Sequence, residues 1–183
     1  MSDFSDTYHL RTSHVEDAVA LLRRAGIHGF VLPEGEEWVL ILPSGEVFVP
    51  NQKLIASNQG ELLHFVYAED HGWGFELYKG PDEVLGYGCS WDQVLTLDRS
   101  MDYRALVEHH PAFGEQYSKE QLKRLFEPDS LETLFDLAPA DACADVFGLQ
   151  YYHWIRYDQM CSDLESGAHE LPPELRSIEP EDA

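Results

Sequence analysis

The sequence is poor in basic residues and in cysteine, and it has no long apolar run. Lysine and arginine number 12 against 34 aspartates and glutamates, for a formal net charge of −22. A surface this negative repels phosphate groups, so we expect neither nucleic acid nor an anionic membrane as a partner. The longest apolar run, Trp38 to Pro43, is far shorter than the roughly 20 residues that span a bilayer.

The three cysteines are Cys89, Cys143 and Cys161. Their odd number and wide spacing indicate neither a disulfide framework nor a CxxC redox pair, so free and mostly buried thiols are expected. The segment Met1 to Asp6 lacks the basic start and apolar stretch of a signal peptide, and no Asn-x-Ser/Thr glycosylation acceptor occurs. These features predict a cytoplasmic protein.

Apolar and aromatic residues, in contrast, are plentiful. The chain of 183 residues is 44% hydrophobic and 12% aromatic, which is too rich for a disordered acidic chain and predicts a packed core. A length in this range favours one domain, which we place over residues 1–168, with a β-rich part at 6–98 and a helical part at 101–166. Prolines and scattered acids predict a flexible acidic tail at 169–183.

The β-rich part begins with a short strand at 7–12, followed by an amphipathic helix. Ser13 and Glu16 have the spacing of a capping box, and Gly26 is a typical helix stop. Short alternating or apolar runs between turn residues then predict antiparallel strands. These runs are 29–32, 38–42, 46–49, a hairpin over 62–78, and 83–89, with a connection at 51–60. Gly86 and Gly88 fall on one face of the last strand, where another element or a bulge would approach closely.

In the helical part, the sequence predicts several short helices. One begins at a second capping box, Ser118 and Gln121, and the next is capped by Asp129 or Ser130. A longer helix is predicted over 149–164, with one aromatic stripe that contains Tyr151, Trp154 and Tyr157. The predicted class is therefore α+β: an antiparallel sheet of about five to seven strands flanked by the first helix and by a C-terminal cluster of helices.

No motif predicts catalysis, a cofactor or a metal. The run from Gly86 to Trp91 begins like a dinucleotide-binding loop but has tryptophan in place of the third glycine, and no HExxH pair occurs. Ser90 lies outside a nucleophile elbow. His64 and His71 flank the predicted hairpin turn beside Asp70, where a polar loop tip is favoured over a metal site. We therefore assign no catalytic and no metal-binding residue.

Acidic residues next to aromatic rings suggest a recognition surface, because rings supply contact area and carboxylates pair with Lys or Arg. The candidate binding residues are Asp70, His71, Trp73, Glu76, Tyr87, Trp91 and Asp92. The alternation of the hairpin strands favours the competing interpretation, in which the rings belong to the core.

With its capped helix, its antiparallel strands rich in tryptophan and glycine, and its helical end, this small acidic sequence is similar in type to bacterial immunity and antitoxin proteins. The main functional hypothesis is a non-enzymatic binding or regulatory protein that engages a basic protein partner, such as a toxin or nuclease. One alternative is a small hydrolase or ligand-binding enzyme, which convergence of His64, His71, Asp70 and Glu76 in a cleft would favour. The other is a homo-oligomeric structural protein that uses the face of Tyr151, Trp154 and Tyr157.

The acidity is spread along the chain. Residues 1–100 contain 16 acids and 6 bases, and residues 101–183 contain 18 and 6. The charge therefore belongs to the folded body, and only clustering on one face would tie it to a partner.

Overall fold

Strands and helices segregate along the chain as the sequence predicts. The computed structural model describes residues 4–92, 94–167 and 172–180. Its strands are β1 (Phe4–Arg11), β2 (Gly29–Glu34), β3 (Trp38–Pro43), β4 (Glu61–Ala68), β5 (Gly72–Lys79), β6 (Asp82–Ser90), β7 (Thr96–Arg99) and β8 (Arg176–Ile178). Its helices are α1 (Val15–Ala25), α2 (Gln52–Ser57), α3 (Tyr103–His109), α4 (Ala112–Gln116), α5 (Lys119–Phe126), α6 (Leu131–Leu137), α7 (Pro139–Phe147) and α8 (Tyr157–Ser166).

The strands form one antiparallel sheet in the order β7-β6-β5-β4-β1-β3-β2-β8. The α+β class is confirmed, and strands β4 to β7 form the expected meander. Strand β1 lies in the middle of the sheet, between β3 and β4. Because its side chains alternate between the two faces, β1 contributes to the interior on both sides.

The C-terminal helices cover one face of the sheet, which we call the helical face. There, Phe65, Phe75 and Tyr87 pack in one apolar cluster with Phe126 of α5 and Phe147 of α7. The opposite face, which we call the open face, is covered only in part. Helices α1 and α2 pack over β1 and β3 and leave the partly exposed positions of β5 and β6 without a covering helix.

Helix α1 has the predicted apolar side and the predicted end. Gly26 adopts a left-handed conformation with φ 62°, and its N–H donates to the carbonyl oxygens of Leu22 and Arg23. The capping box predicted at Ser13 is wrong, because the N-cap residue is His14 and no side chain caps the helix. Glu16 instead binds Arg176 of β8 at 2.6 Å. The second capping box, at Ser118 and Gln121, is confirmed.

The long aromatic helix predicted over 149–164 is wrong in its first half. Residues 149–156 are irregular, and α8 begins at Tyr157. Trp154 has φ 51°, which a right-handed helix does not contain, and the N–H and carbonyl oxygen of Ile155 bond to Ser5 and Asp6 of β1. The predicted aromatic stripe is therefore not formed. Tyr151 and Tyr157 pack against the core, and Trp154 is exposed.

Two further segments differ from the sequence prediction. Residues 46–49, expected as a strand, form a turn in which Phe48 has φ 66°. Within the tail placed at 169–183, where the sequence predicts no strand, Arg176–Ile178 form β8, which is hydrogen-bonded to β2. The other described tail residues are 172–175, 179 and 180. In the described part of the chain, no helix combines the length and apolar character needed to cross a membrane.

Candidate functional site

A groove of about 490 Å³ lies on the open face of the sheet, over strands β4 to β6. We call it the glycine groove, because Gly72, Gly74 and Gly88 line it. Phe48 and Pro50 border one side, and Asp98 and Arg99 of β7 border the other. The groove exists because the alternate positions of β5 and β6 bury large side chains on the helical face and place glycine or a polar residue on the open face.

The glycines are required by close packing of the backbone. A Cβ atom on Gly74 would lie 2.6 Å from the carbonyl oxygen of Tyr87 on the neighbouring strand. Gly88 is the exception, because a Cβ there would make ordinary contacts, 3.4 Å to the Cβ of Asp98 and 3.8 Å to the backbone nitrogen of Arg99. Gly86 is not among the residues that line the groove. The guanidinium of Arg99 lies directly over it, which is the close approach of another element that Gly86 and Gly88 predict. The groove floor is thus flat backbone that a bound chain can approach.

The buried side chain at the base of the groove is His64. Its Nε2 lies 2.9 Å from Oδ1 of Asp6 on β1, and its Nδ1 lies 3.3 Å from Oε2 of Glu76 on β5. The Tyr8 ring stacks on the imidazole with centroids 4.3 Å apart. Because both ring nitrogens face carboxylates, the geometry favours the doubly protonated imidazolium.

Asp6 and Glu76 stabilise the positive charge of His64, although burial opposes that charge. Burial alone would lower the pKa of His64, but the hydrogen bonds to Asp6 and Glu76 outweigh it and raise the pKa. Burial likewise opposes ionisation of Glu76, yet the hydrogen bonds from His64 and from Tyr78, the latter at 2.7 Å, lower its pKa. Arg99 adds a further ion pair to Glu76 at 3.2 Å. Asp6, His64, Glu76 and Arg99 therefore form one charged row, which we call the groove cluster.

The rim of the groove is partly apolar. Val47, Phe48 and Val49 are exposed, although large apolar side chains normally turn inward. The N–H of Phe48 donates to Oδ2 of Asp6 at 2.6 Å, so the aspartate that pairs with His64 also fixes the strained backbone of this turn. Phe4 contacts Phe48 on one side and stacks on His71 on the other. Phe48, Phe4 and His71 therefore form a row of rings that runs from the turn at 46–49 to the hairpin of β4 and β5.

The structure separates the candidate binding residues into three groups. Trp73, Tyr87 and Trp91 have buried side chains that belong to the apolar cluster of the helical face, although Trp73 and Tyr87 also line the groove. Glu76, His71 and Asp92 line the groove, and Nδ1 of His71 is hydrogen-bonded to Oδ1 of Asp92. Asp70 is exposed at the hairpin turn and is not among the lining residues. His64 and His71 line the same groove but have different carboxylate partners.

A fully buried histidine–carboxylate pair lies on the helical face, and no sequence motif indicates it. Nδ1 of His9 lies 2.5 Å from Oε2 of Glu34, and Nε2 lies 2.9 Å from the Thr7 hydroxyl. Glu34 also accepts the N–H of Tyr151 at 2.7 Å. Burial opposes its ionisation, but the charge and hydrogen bond of His9 outweigh burial and lower its pKa. Thr7, His9 and Glu34 are the sealed cluster.

The order threonine, histidine, carboxylate in the sealed cluster matches that of a hydrolytic triad. Thr7 and His9 have no exposed surface, so no substrate reaches the hydroxyl, which donates to the carbonyl oxygen of Phe65 at 3.1 Å. The sealed cluster is therefore structural, and it joins β1 and β2 to the segment that follows α7.

Across the residues that the structure describes, no three His, Cys, Asp or Glu side chains are arranged to hold a metal ion. Comparisons with protein-family models, with curated proteins and with solved structures found no match to this chain. The geometry of the groove is therefore the basis for assigning a function.

Proposed function

We propose that this chain is a binding protein that receives a cationic segment of a basic protein partner in the glycine groove. The observation that carries the proposal is the set of three carboxylates in the groove, of which Glu76 is paired with the imidazolium of His64. Glu76, Asp92 and Asp98 line the groove, and Arg99, its single Lys or Arg among the described lining residues, is ion-paired with Glu76 and Glu83. Asp92 and Asp98 thus place carboxylates beside the glycine floor on the open face.

The shape and the charge support the same kind of occupant. The glycine floor admits an extended chain, and the exposed Phe48 and the partly exposed Pro50 offer apolar contact beside it. Carboxylates near the rim would attract Lys or Arg side chains and would speed the encounter with a basic protein of the opposite charge. A toxin-like basic partner, as in immunity proteins, fits this chemistry.

The test compares two double variants that remove the same amount of charge. Asp92→Asn with Asp98→Asn removes groove carboxylates, whereas Glu108→Gln with Glu120→Gln removes exposed helical ones. The probe is an Arg- and Lys-rich peptide, with a Gln-substituted peptide as the neutral control, and calorimetry measures Kd. We expect the groove variant to weaken binding by about tenfold and the helical variant by less than about twofold.

Equal losses in both variants would show that diffuse charge, and not the groove, attracts the peptide. Gly88→Leu gives an independent check, because its Cβ is tolerated while the rest of the side chain enters the groove. Unchanged affinity in Gly88→Leu would contradict the proposal.

A second candidate is a small hydrolase, which the His71–Asp92 pair favours. With Nδ1 of His71 facing the carboxylate, its Nε2 points away and could serve as a base. His64 is a poorer base, since it is buried and both ring nitrogens are already bonded. Hydrolysis of a small ester that is lost in His71→Gln would support this candidate, and no turnover by the wild type would reject it.

A further inference from the structure

A second cavity, of about 170 Å³, lies on the helical face, on the other side of the sheet from the glycine groove. Four aromatic residues line it: Tyr67 of β4, Trp73 of β5, Trp91 and Phe135 of α6. Asp141 of α7 also lines it, as the one charged residue among the described lining. We call this cavity the aromatic cavity. The proposed function does not use it.

One wall of the cavity is an exposed aromatic side chain that core packing does not explain. Phe135 is 59% exposed, yet its ring meets that of Trp91 edge-on, at 5.9 Å between centroids. Ala138 lies between them in the wall and has φ 43°, in the left-handed region that alanine rarely adopts. Ala138 ends α6 and begins α7, so this strained residue holds Phe135 and Asp141 at the same opening.

The chemistry of the walls selects a cation. Aromatic faces carry negative partial charge and attract cations within about 6 Å of the ring centroid, and several rings around one cavity suit a quaternary ammonium group. Asp141 supplies a formal negative charge at the same opening. Its Oδ1 accepts from the Tyr152 hydroxyl at 2.9 Å and lies 2.9 Å from Nε2 of His153, which fixes the carboxylate in place.

The same contacts disfavour an unmodified lysine. An ammonium group is strongly hydrated and needs acceptors for three N–H bonds, whereas Asp141 is already engaged and the remaining lining is mainly apolar. A trimethylammonium group has no N–H to satisfy and presents methyl groups to the rings. The volume of about 170 Å³ is below the roughly 300 Å³ at which pockets for drug-sized ligands begin, so it suits a head group.

We propose that the aromatic cavity binds a quaternary trimethylammonium group, with Phe135 and Trp91 as its outer walls and Asp141 as its counter-charge. Two sources share this chemistry: a small free cation of the choline type, and a trimethylated lysine side chain on a protein. The cavity takes the head group in either case, and the rest of the ligand extends past Phe135 into solvent.

The first experiment titrates the intact chain with choline and with 3,3-dimethylbutanol, its neutral isostere. Proton NMR follows the N-methyl signals, which shift upfield when methyl groups lie over aromatic rings. We expect choline to show the shift and to bind about tenfold more tightly than the alcohol, in keeping with a desolvated cation–π contact. Equal affinity for the two would overturn the proposal, because the cavity would then recognise shape alone. Absence of any choline shift would also overturn it, provided that a trimethyllysine peptide fails as well.

The second experiment uses variants whose folds should survive. Phe135→Ala removes an exposed wall and should weaken choline binding about tenfold, and Asp141→Asn should weaken it several-fold. Leu131→Ala is the matched control, because Leu131 is exposed on the same helix but does not line the cavity. Equal effects of Phe135→Ala and Leu131→Ala would place binding elsewhere.

The source of the group is distinguished by peptides. A trimethyllysine peptide that binds more tightly than choline, while its unmodified lysine counterpart does not bind, assigns the cavity to a modified protein. Tighter binding of choline assigns it to a small cation. Preference for the unmodified peptide would overturn the proposal.

Discussion

The two histidine–carboxylate clusters lie on opposite faces of β1 and meet different demands. In the sealed cluster, His9 and Glu34 have no exposed side-chain surface and join distant segments of the chain. In the groove cluster, His64 is almost as deeply buried, but Glu76 and Arg99 extend to the groove and to solvent. The same pair of residue types is thus fully enclosed on one face and lies at the floor of an open groove on the other.

The two clusters differ in their access to water because different parts of the chain cover them. Residues 150 and 151 close over Glu34 and satisfy its second oxygen with backbone N–H groups. No helix covers Glu76, so its second oxygen accepts from Arg99, an exposed side chain. Removing a partner from a closed site leaves a charge that water cannot reach, whereas an open site lets water replace the partner.

The largest effect is therefore expected for Glu34→Ala. The substitution leaves His9 and two backbone N–H groups without their acceptor inside the protein. We expect a loss of about 3–5 kcal/mol in the free energy of unfolding, measured by urea denaturation. Glu37→Ala, at a side chain that is 65% exposed, should change it by less than about 0.5 kcal/mol. Similar losses for the two variants would remove the distinction between sealed and exposed carboxylates.

A smaller effect is expected for His64→Leu. Asp6 keeps the N–H of Phe48, and Glu76 keeps Tyr78 and Arg99, so each carboxylate retains partners and has access to water. We expect a loss of about 1–3 kcal/mol in the same denaturation experiment. A loss as large as that of Glu34→Ala would mean that the groove cluster is as closed as the sealed one.

The smallest effect is a difference in pH dependence. His64 has a raised pKa in the folded state, so its stabilisation is complete below its unfolded pKa of about 6.5 and is lost as pH rises through the folded value. Glu34 has a lowered pKa, so its stabilisation is present above about 4.5 and is lost as pH falls through the folded value. His64→Leu should thus destabilise less at alkaline pH, and Glu34→Ala less in acid. Urea titrations across pH check both signs, and parallel profiles for the two variants would contradict them.

Short-range patterns in the sequence predicted the parts of this picture that depend on neighbouring residues. Alternation placed Phe65, Trp73 and Phe75 in the core, and the hairpin register places His64 opposite Glu76, a pairing that counting outward from the turn would have revealed. Asp6, His9 and Glu34 were missed because their contacts depend on the insertion of β1 between β3 and β4. No local pattern specifies that insertion.

The predicted helix over 149–156 is wrong for the same reason, because it too is decided by contacts between residues far apart in the sequence. Its aromatic spacing is genuinely helical, but Trp154 is left-handed with φ 51°, and the backbone N–H and carbonyl oxygen of Ile155 bond to Ser5 and Asp6 of β1 instead of to neighbouring helical turns. Long-range hydrogen bonds of this kind outweigh the modest preference of a short segment for helix.

The pairing of β8 with β2 bears on how the molecule behaves at high concentration. Without β8, the apolar strand β2 would present unpaired backbone groups along Gly29, Phe30 and Val31, a template for joining one sheet to another. The opposite edge needs no such shield, because β7 is only four residues long and carries exposed charged side chains. Protection against aggregation through sheet edges therefore depends on a short segment close to the C-terminal end, held in place by the ion pair between Arg176 and Glu16.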